Sequence, residues 1–379
     1  MAKLLSILIL FFITNTAFAQ LDNHLFEDRR ELFPERKNKV YLDLDILGFT
    51  KNNEYFNNIA DGYTLFGYQL NPSLSYFPAE NVRIDAGIYL QKDFGVQEYQ
   101  TIAPTFSIKV KRNDLNIIFG NLEGSLNHRL IEPLYDFEKV LNDRLETGIQ
   151  AVVNKDKLFL DAWIDWETMI YAGDSLQEEI SGGISFDYKL YENNNIILSL
   201  PFQTVLYHKG GQIDIMDAPL TSLMNNAIGI GLDFPIDENG ILKSVGTKNY
   251  FVYFTDFSFE RRQTFEDGTG LYLNLDLEFK WFSLMTSYWK GDEFISIKGA
   301  PLYQSVSSSF KNPGYVEEER ELIILRFMHE LKILDNLFFS TRFEPFFDLQ
   351  NNKFEFSHAF YINYRPDFFL FNARNSRND

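Results

Sequence analysis

Along residues 271–288 apolar and polar side chains alternate almost without a break. Leu271, Leu273, Leu275, Leu277 and Phe279 fall on one face of an extended chain, and Tyr272, Asn274, Asp276, Glu278 and Lys280 on the other. After a reversal near Lys280–Trp281, Phe282, Leu284 and Tyr288 return on one side, with Ser283 and Ser287 opposite. Strand side chains switch faces at every residue, so the pattern predicts a hairpin with one apolar and one polar face. A soluble sandwich turns the apolar face inward. A membrane barrel turns it outward to lipid and keeps the polar face in water.

The pattern recurs along most of the chain. Val40, Leu42, Leu44 and Ile46 oppose Tyr41, Asp43 and Asp45, while Leu158, Leu160, Ala162, Ile164 and Trp166 oppose Asp161, Asp165 and Glu167. Near the C-terminus, Phe354, Phe356, Phe360, Ile362 and Tyr364 repeat it. The runs number about sixteen, within about two either way. Short polar turns at 78–81, 112–114, 154–157, 191–195, 280–281 and 334–336 separate them in pairs. Longer segments at 50–62, 93–100, 121–146, 170–178, 209–224, 257–269 and 290–319 fall between the pairs. Short turns on one rim and long loops on the other predict an all-β fold, a transmembrane antiparallel up-and-down β-barrel with extracellular loops and periplasmic turns. A Greek-key sandwich has no reason to alternate its connections this way.

The ends and the composition agree with that compartment. Lys3, the apolar run Leu4–Ile13 and the Ala17-Phe18-Ala19 end predict a cleaved signal peptide over 1–19. Residues 20–38 are polar and aperiodic and predict a periplasmic tail; 39–371 form the barrel, and 372–379 a polar C-terminal tail. The chain holds 38 Phe and 20 Tyr, which barrels place in girdles at the two lipid–water interfaces. A formal charge of −18 argues against a nucleic-acid partner, whose phosphates require a basic surface. There is no cysteine for a disulfide or a lipid anchor.

Signal peptide, alternating hairpins, one-sided long loops and aromatic strand ends together resemble the porin-like outer-membrane barrels of Gram-negative bacteria. The resemblance implies a water-filled barrel in outer-membrane lipid that passes small hydrophilic solutes by diffusion, and it allows a homotrimer. In general porins the loop after the fifth strand folds into the lumen, which points to segment 121–146. Its Leu134, Phe137, Val140 and Leu141 recur at helical spacing. If the segment folds inward, that stripe packs on the wall while Glu132, Asp136, Glu138 and Asp143 face water. Arg83, Lys109, Arg326 and Arg342 face them from the wall, and the transverse field orients polar solutes. The alternative is an extracellular loop packed on the rim.

Inward acids outnumber inward bases, which predicts a mild cation preference. A neutral glycan on an export path is a second reading, and a closed receptor or structural barrel a third. The expectation for catalysis is negative. His24, His128, His208, His329 and His358 are scattered with no metal-ligand spacing, and no G-x-S-x-G elbow is present. No cofactor is expected. A barrel hydrolase would need a serine and a histidine on one outer wall, and His329 and His358 fall on predicted lipid faces.

Overall fold

The computed structural model describes residues 23–211 and 213–373. One antiparallel sheet closes on itself. The first strand, Lys39–Glu54, pairs with Thr64–Ala79 on one side. On its other side it pairs with both Lys353–Tyr364 and Asp367–Asn372. These last two segments occupy one barrel position, broken at 365–366, where Pro366 has no N–H for the ladder but its carbonyl accepts from Leu44 N at 3.0 Å. The barrel therefore has the sixteen positions the alternation predicts.

The faces also sort as a membrane requires. Leu271 and Leu275 are 41% and 45% exposed on the outside, whereas Tyr272 and Asn274 are 1% and 5% exposed inside. Several tight turns place asparagine in the left-handed region (Asn113 φ 56°, Asn336 φ 61°), which asparagine tolerates better than most residues.

Two boundaries differ from expectation. The first strand continues through Glu54 and takes in 50–54, read from sequence as loop. Its inward face runs Leu47, Phe49, Lys51, Asn53, so inside and outside are both apolar near its middle and the alternation fades there. The stretch expected as a periplasmic tail is described from Asn23, and it turns into the barrel. Leu25 and Phe26 are buried, and the Phe26 ring meets Phe137 at 5.1 Å and Tyr361 at 4.9 Å. The expected signal peptide lies outside the described residues, as does 374–379.

Segment 122–146 also enters the lumen, carrying a 3-10 turn at Ser125–His128 and one helical turn at Lys139–Asn142. Leu134, Phe137, Val140 and Leu141 are all buried, as their spacing predicts. A buried loop must find partners for its backbone, and glutamines on the wall supply them. Gln203 accepts from Ile131 N at 2.9 Å and donates to the Arg129 carbonyl at 2.8 Å. Gln150 pairs with Glu123 N and O in the same two-way fashion, both at 2.9 Å. Gln69 and Gln91 donate to the Leu141 carbonyl at 3.1 and 2.9 Å. Among Leu126, Leu130, Phe137, Tyr250 and Tyr272 about 20 Å³ is left, room for about one water.

Candidate functional site

Of the eight residues predicted for a constriction, seven separate into two groups and Asp143 stands apart. Glu132 accepts from Arg326 and, at 2.8 Å, from Tyr303. Arg326 also lies 3.3 Å from Glu344 and donates to Ser287 at 2.9 Å. Glu138 accepts from Asn53 at 2.7 Å and from Tyr63, with Lys51 Nζ 3.3 Å away. Arg342 stacks over Phe137 at 3.9 Å with Glu344 at 3.6 Å. These groups form one ion-paired cluster between the inward segment and the wall. Arg83 and Lys109 lie nearer the short-turn rim. Arg83 binds Asp85 at 2.8 Å and Asp43 at 2.5 Å, and Lys109 binds Glu123 at 2.6 Å.

Acids and bases are thus in contact and do not face each other across a gap. Glu138 is buried where it was expected to face water; Asp143 is exposed and pairs with Lys139 at 2.9 Å. Burial raises the Asp136 carboxyl to about 7, and the neighbouring charge of Glu138 adds to it. Lys51 and Glu344 are essential members of the cluster that the sequence did not bring together. Lys51 was hidden in a span read as loop.

A second cluster anchors the same segment. His128 is fully buried, with Nδ1 2.9 Å from Asp161 and Nε2 2.7 Å from Glu146, and its ring stacks on Trp163 at 3.7 Å. Burial alone would lower its pKa, but the two carboxylates outweigh it and raise the imidazole to about 10. Burial likewise pushes Glu146 up, yet His128, Tyr135 and Ser125 N hold it down at about 2. Sequence spacing gave no sign of this triad, because its members come from the loop and a wall strand.

Two chambers flank the inward segment, and a third lies against the N-terminal segment. One of about 350 Å³ lies between the inward segment and Asp165, Glu167, Glu179 and Lys298. Another of about 370 Å³ is walled by Lys51, Tyr63, Arg326 and Glu344. The third, about 320 Å³, opens at the short-turn rim among Arg36, Asp43, Arg83 and Arg365.

The outer wall carries chemistry of a different kind. His208, near the end of strand Ile197–Lys209, stands directly opposite Ser222 of strand Thr221–Pro235. The His208 Nδ1 and Ser222 Oγ are 2.9 Å apart. Both residues share the outward face with Leu206 and Ile228, which are 42% and 54% exposed. They border an apolar groove of about 710 Å³ that runs down the wall past Ile164, Ile149 and Ile117. Ser222 lay in the span 209–224 read as loop, so this pair was missed. Of the histidines expected on lipid faces, His358 stacks on Phe356 and meets Phe360 edge-on, and His329 contacts the Trp281 carbonyl at a turn.

Solved barrels share the architecture. OpdK, an outer membrane protein of Pseudomonas aeruginosa, is 10% identical over 88% of this chain and 100% of its own, with a TM-score of 0.53. OprD of the same organism is 13% identical over 90% of this chain and 97% of its own, with a TM-score of 0.50. OccAB4 of Acinetobacter baumannii is 9% identical over 88% and 100%, also at 0.50. At these identities the likeness establishes the porin-like barrel fold. No curated protein is detectably similar in sequence. A family model described as lipid A 3′-O-deacylase-type matches residues 32–373. That match corrects the expectation of a barrel without enzymatic activity, which rested on the absence of familiar catalytic spacings in the linear sequence.

Proposed function

Because the chain belongs to the lipid A 3′-O-deacylase-type family, we propose that it is an outer-membrane ester hydrolase releasing an O-linked acyl chain from a lipid A-type glycolipid. The observation that carries this reading is the extent of the match, which takes in every strand of the barrel. The packing supports it. The lumen is occupied by the N-terminal segment and by 122–146, so a lipid meets the protein at the outer wall. The test is to incubate the folded, purified barrel with lipid A in mixed micelles and weigh the products. The expected result is a lipid A lighter by one acyl chain together with the free fatty acid. Unchanged lipid A beside folded protein overturns the reading.

A second reading is passage of small hydrophilic solutes, with Glu132, Asp136, Glu138, Asp143, Arg83, Lys109, Arg326 and Arg342 as the polar lining of the path. The three charged chambers favour it. It requires the inward segment to move, since between that segment and Tyr250 and Tyr272 of the wall there is room for about one water. Steady single-channel conductance with mild cation preference from the intact protein supports passage, and a silent bilayer overturns it. The homotrimer allowed by the resemblance is read from the mass of the same preparation.

A further inference from the structure

We propose that the chamber between segment 122–146 and the strands Leu158–Thr168 and Glu179–Glu192 binds a small hydrophilic amine, whose primary ammonium is held by the Asp165 carboxylate and the Ser181 hydroxyl. The site stands on its own geometry and requires neither hydrolysis nor passage.

Five carboxylates line this chamber, and four of them already hold a cation. Glu146 holds His128 at 2.7 Å, Asp143 holds Lys139 at 2.9 Å, Glu179 holds Lys209 at 2.5 Å, and Glu167 holds Lys298. Among the described residues Asp165 forms no ion pair. It is only 8% exposed, and one of its oxygens accepts from Thr147 N at 2.7 Å. No donor of the described residues reaches the other oxygen. A carboxylate so buried is costly unless a cation meets it.

Strand register explains why the wall does not supply that cation. Asp165 stands between Gly148, which has no side chain, and Ser181. Ser181 is also 8% exposed, and among the described residues its hydroxyl has no partner either. The hydroxyl and the free carboxylate oxygen therefore sit side by side on the inward face, lining one chamber. The next row inward is filled, because the Trp163 ring covers Gly183, where a Cβ would lie 2.7 Å from the ring edge. Toward the long-loop rim stand Glu167 and Glu179, while the Asp143 side chain is 66% exposed on the loop side. A cation entering from outside thus passes acids before it meets the buried one, and a cleft lined with one sign of charge draws in the other.

The donor set selects among cations. An ammonium brings three donors, and Asp165 and Ser181 offer it two acceptors from adjacent strands. A divalent metal ion needs about six oxygens, and among the described residues no three carboxylates or imidazoles are grouped to hold one. A quaternary amine has no N–H to give the Ser181 hydroxyl. At about 350 Å³ the chamber is at the small end for a ligand site, and Thr147 and Thr168 add hydroxyls to its lining. Amino alcohols and similarly small amines match that size and polarity.

The test is isothermal titration of the intact folded barrel in detergent micelles with ethanolamine, and separately with ethylene glycol, tetramethylammonium and calcium. The expected result is saturable binding of ethanolamine alone. Asp165→Asn weakens it about tenfold or more, and Ser181→Ala about threefold. Asp114→Asn, which removes the same charge from an exposed turn on the opposite rim, leaves binding unchanged. Heat-shifted gel mobility verifies that each variant is folded. If Asp165→Asn does not fold, Ser181→Ala decides, because it leaves the Thr147 contact in place. Full affinity in Asp165→Asn or in Ser181→Ala overturns the site, and so does absence of saturable ethanolamine binding to the wild type. Equal binding of ethylene glycol or tetramethylammonium overturns the ammonium as the recognised group. Calcium binding in place of ethanolamine overturns the amine in favour of an inorganic cation. None of these outcomes touches the hydrolase reading, which lipid A release decides by itself.

Discussion

His128 and Glu146 fasten the two ends of the lumen segment to each other: Nε2 and Oε2 are 2.7 Å apart, and Asp161 holds the opposite ring nitrogen to the wall at 2.9 Å. The imidazole is fully buried, so removing it strands two carboxylates away from water. Breaking one partner of such a pair costs about 3–5 kcal/mol. His128→Gln is expected to raise amide exchange throughout 122–146 while the strands stay protected. Unchanged protection in that segment contradicts the anchoring role.

The same pair sets a pH window. The pKa of His128 is raised in the folded state, so its contribution is complete below about 6.5 and is lost as pH rises toward about 10. Glu146 is depressed, so its contribution is complete above about 4.5 and is lost as pH falls toward about 2. Protection of 122–146 is therefore expected to peak between those limits and to fall on both sides. In His128→Gln the alkaline fall disappears. A wild-type profile flat from pH 6 to pH 10 is the opposing result.

Asp136 acts in the other direction. Its carboxyl is raised to about 7 by burial and by Glu138, so ionising it opposes the packed segment. The penalty is absent below about 3.8, grows with pH, and is complete above about 7. Asp136→Asn keeps the oxygen that accepts from Glu138 N at 3.0 Å and removes the charge. The variant is expected to protect 122–146 better than wild type at pH 8, by on the order of 1 kcal/mol or more, with the difference vanishing near pH 4. Equal protection at both pH values counts against it.

The strand count, the closure and the outward direction of the apolar face were legible because lipid imposes one rule on every strand. Leu271 and Leu275 obey it wherever they sit in the barrel. The interior obeys no such rule. Leu47 and Phe49 point inward because Leu25, Phe26 and the loop cover them, and that tertiary contact erases the alternation that would have extended the first strand to Lys51. His128, Glu146 and Asp161 belong to a loop and a wall strand, so no sequence interval joins them. His208 and Ser222 are joined only by strand register, and reading 209–224 as loop removed one partner. The sequence expected acids and bases to face each other across water, but charges in a packed lumen pair directly because desolvation disfavours leaving them apart.

Gln203 offers a sharper test of how the loop is held. Its side chain satisfies one donor and one acceptor of the loop backbone, Ile131 N and Arg129 O. Gln203→Leu leaves both without partners at nearly the same volume. An unmet buried polar group costs about 1–3 kcal/mol, so the two together rival the loss of His128. The expected outcome is faster exchange or protease cleavage within 126–134, with barrel melting little changed. Gln203→Glu keeps the acceptor for Ile131 N and loses the donor to Arg129 O, so it should fall between. Indifference to Gln203→Leu would mean that apolar packing of Leu130, Leu134 and Val140 alone holds the segment.

The last prediction concerns the lumen as a whole. Phe26 from the N-terminal segment and Phe137 from the loop meet edge to face at 5.1 Å, so both insertions block the same level. Deleting 125–142 removes the upper one, including the His128 anchor, but leaves Phe26 on Tyr361. Combining the deletion with Phe26→Ala clears both aromatic contacts. Single-channel recordings are expected to rank the double variant above the deletion and the deletion above wild type. The barrel wall, which is closed by backbone hydrogen bonds between first and last strands, should survive in all three. Equal conductance in wild type and deletion would place the permeation path away from this contact, through the chambers beside it.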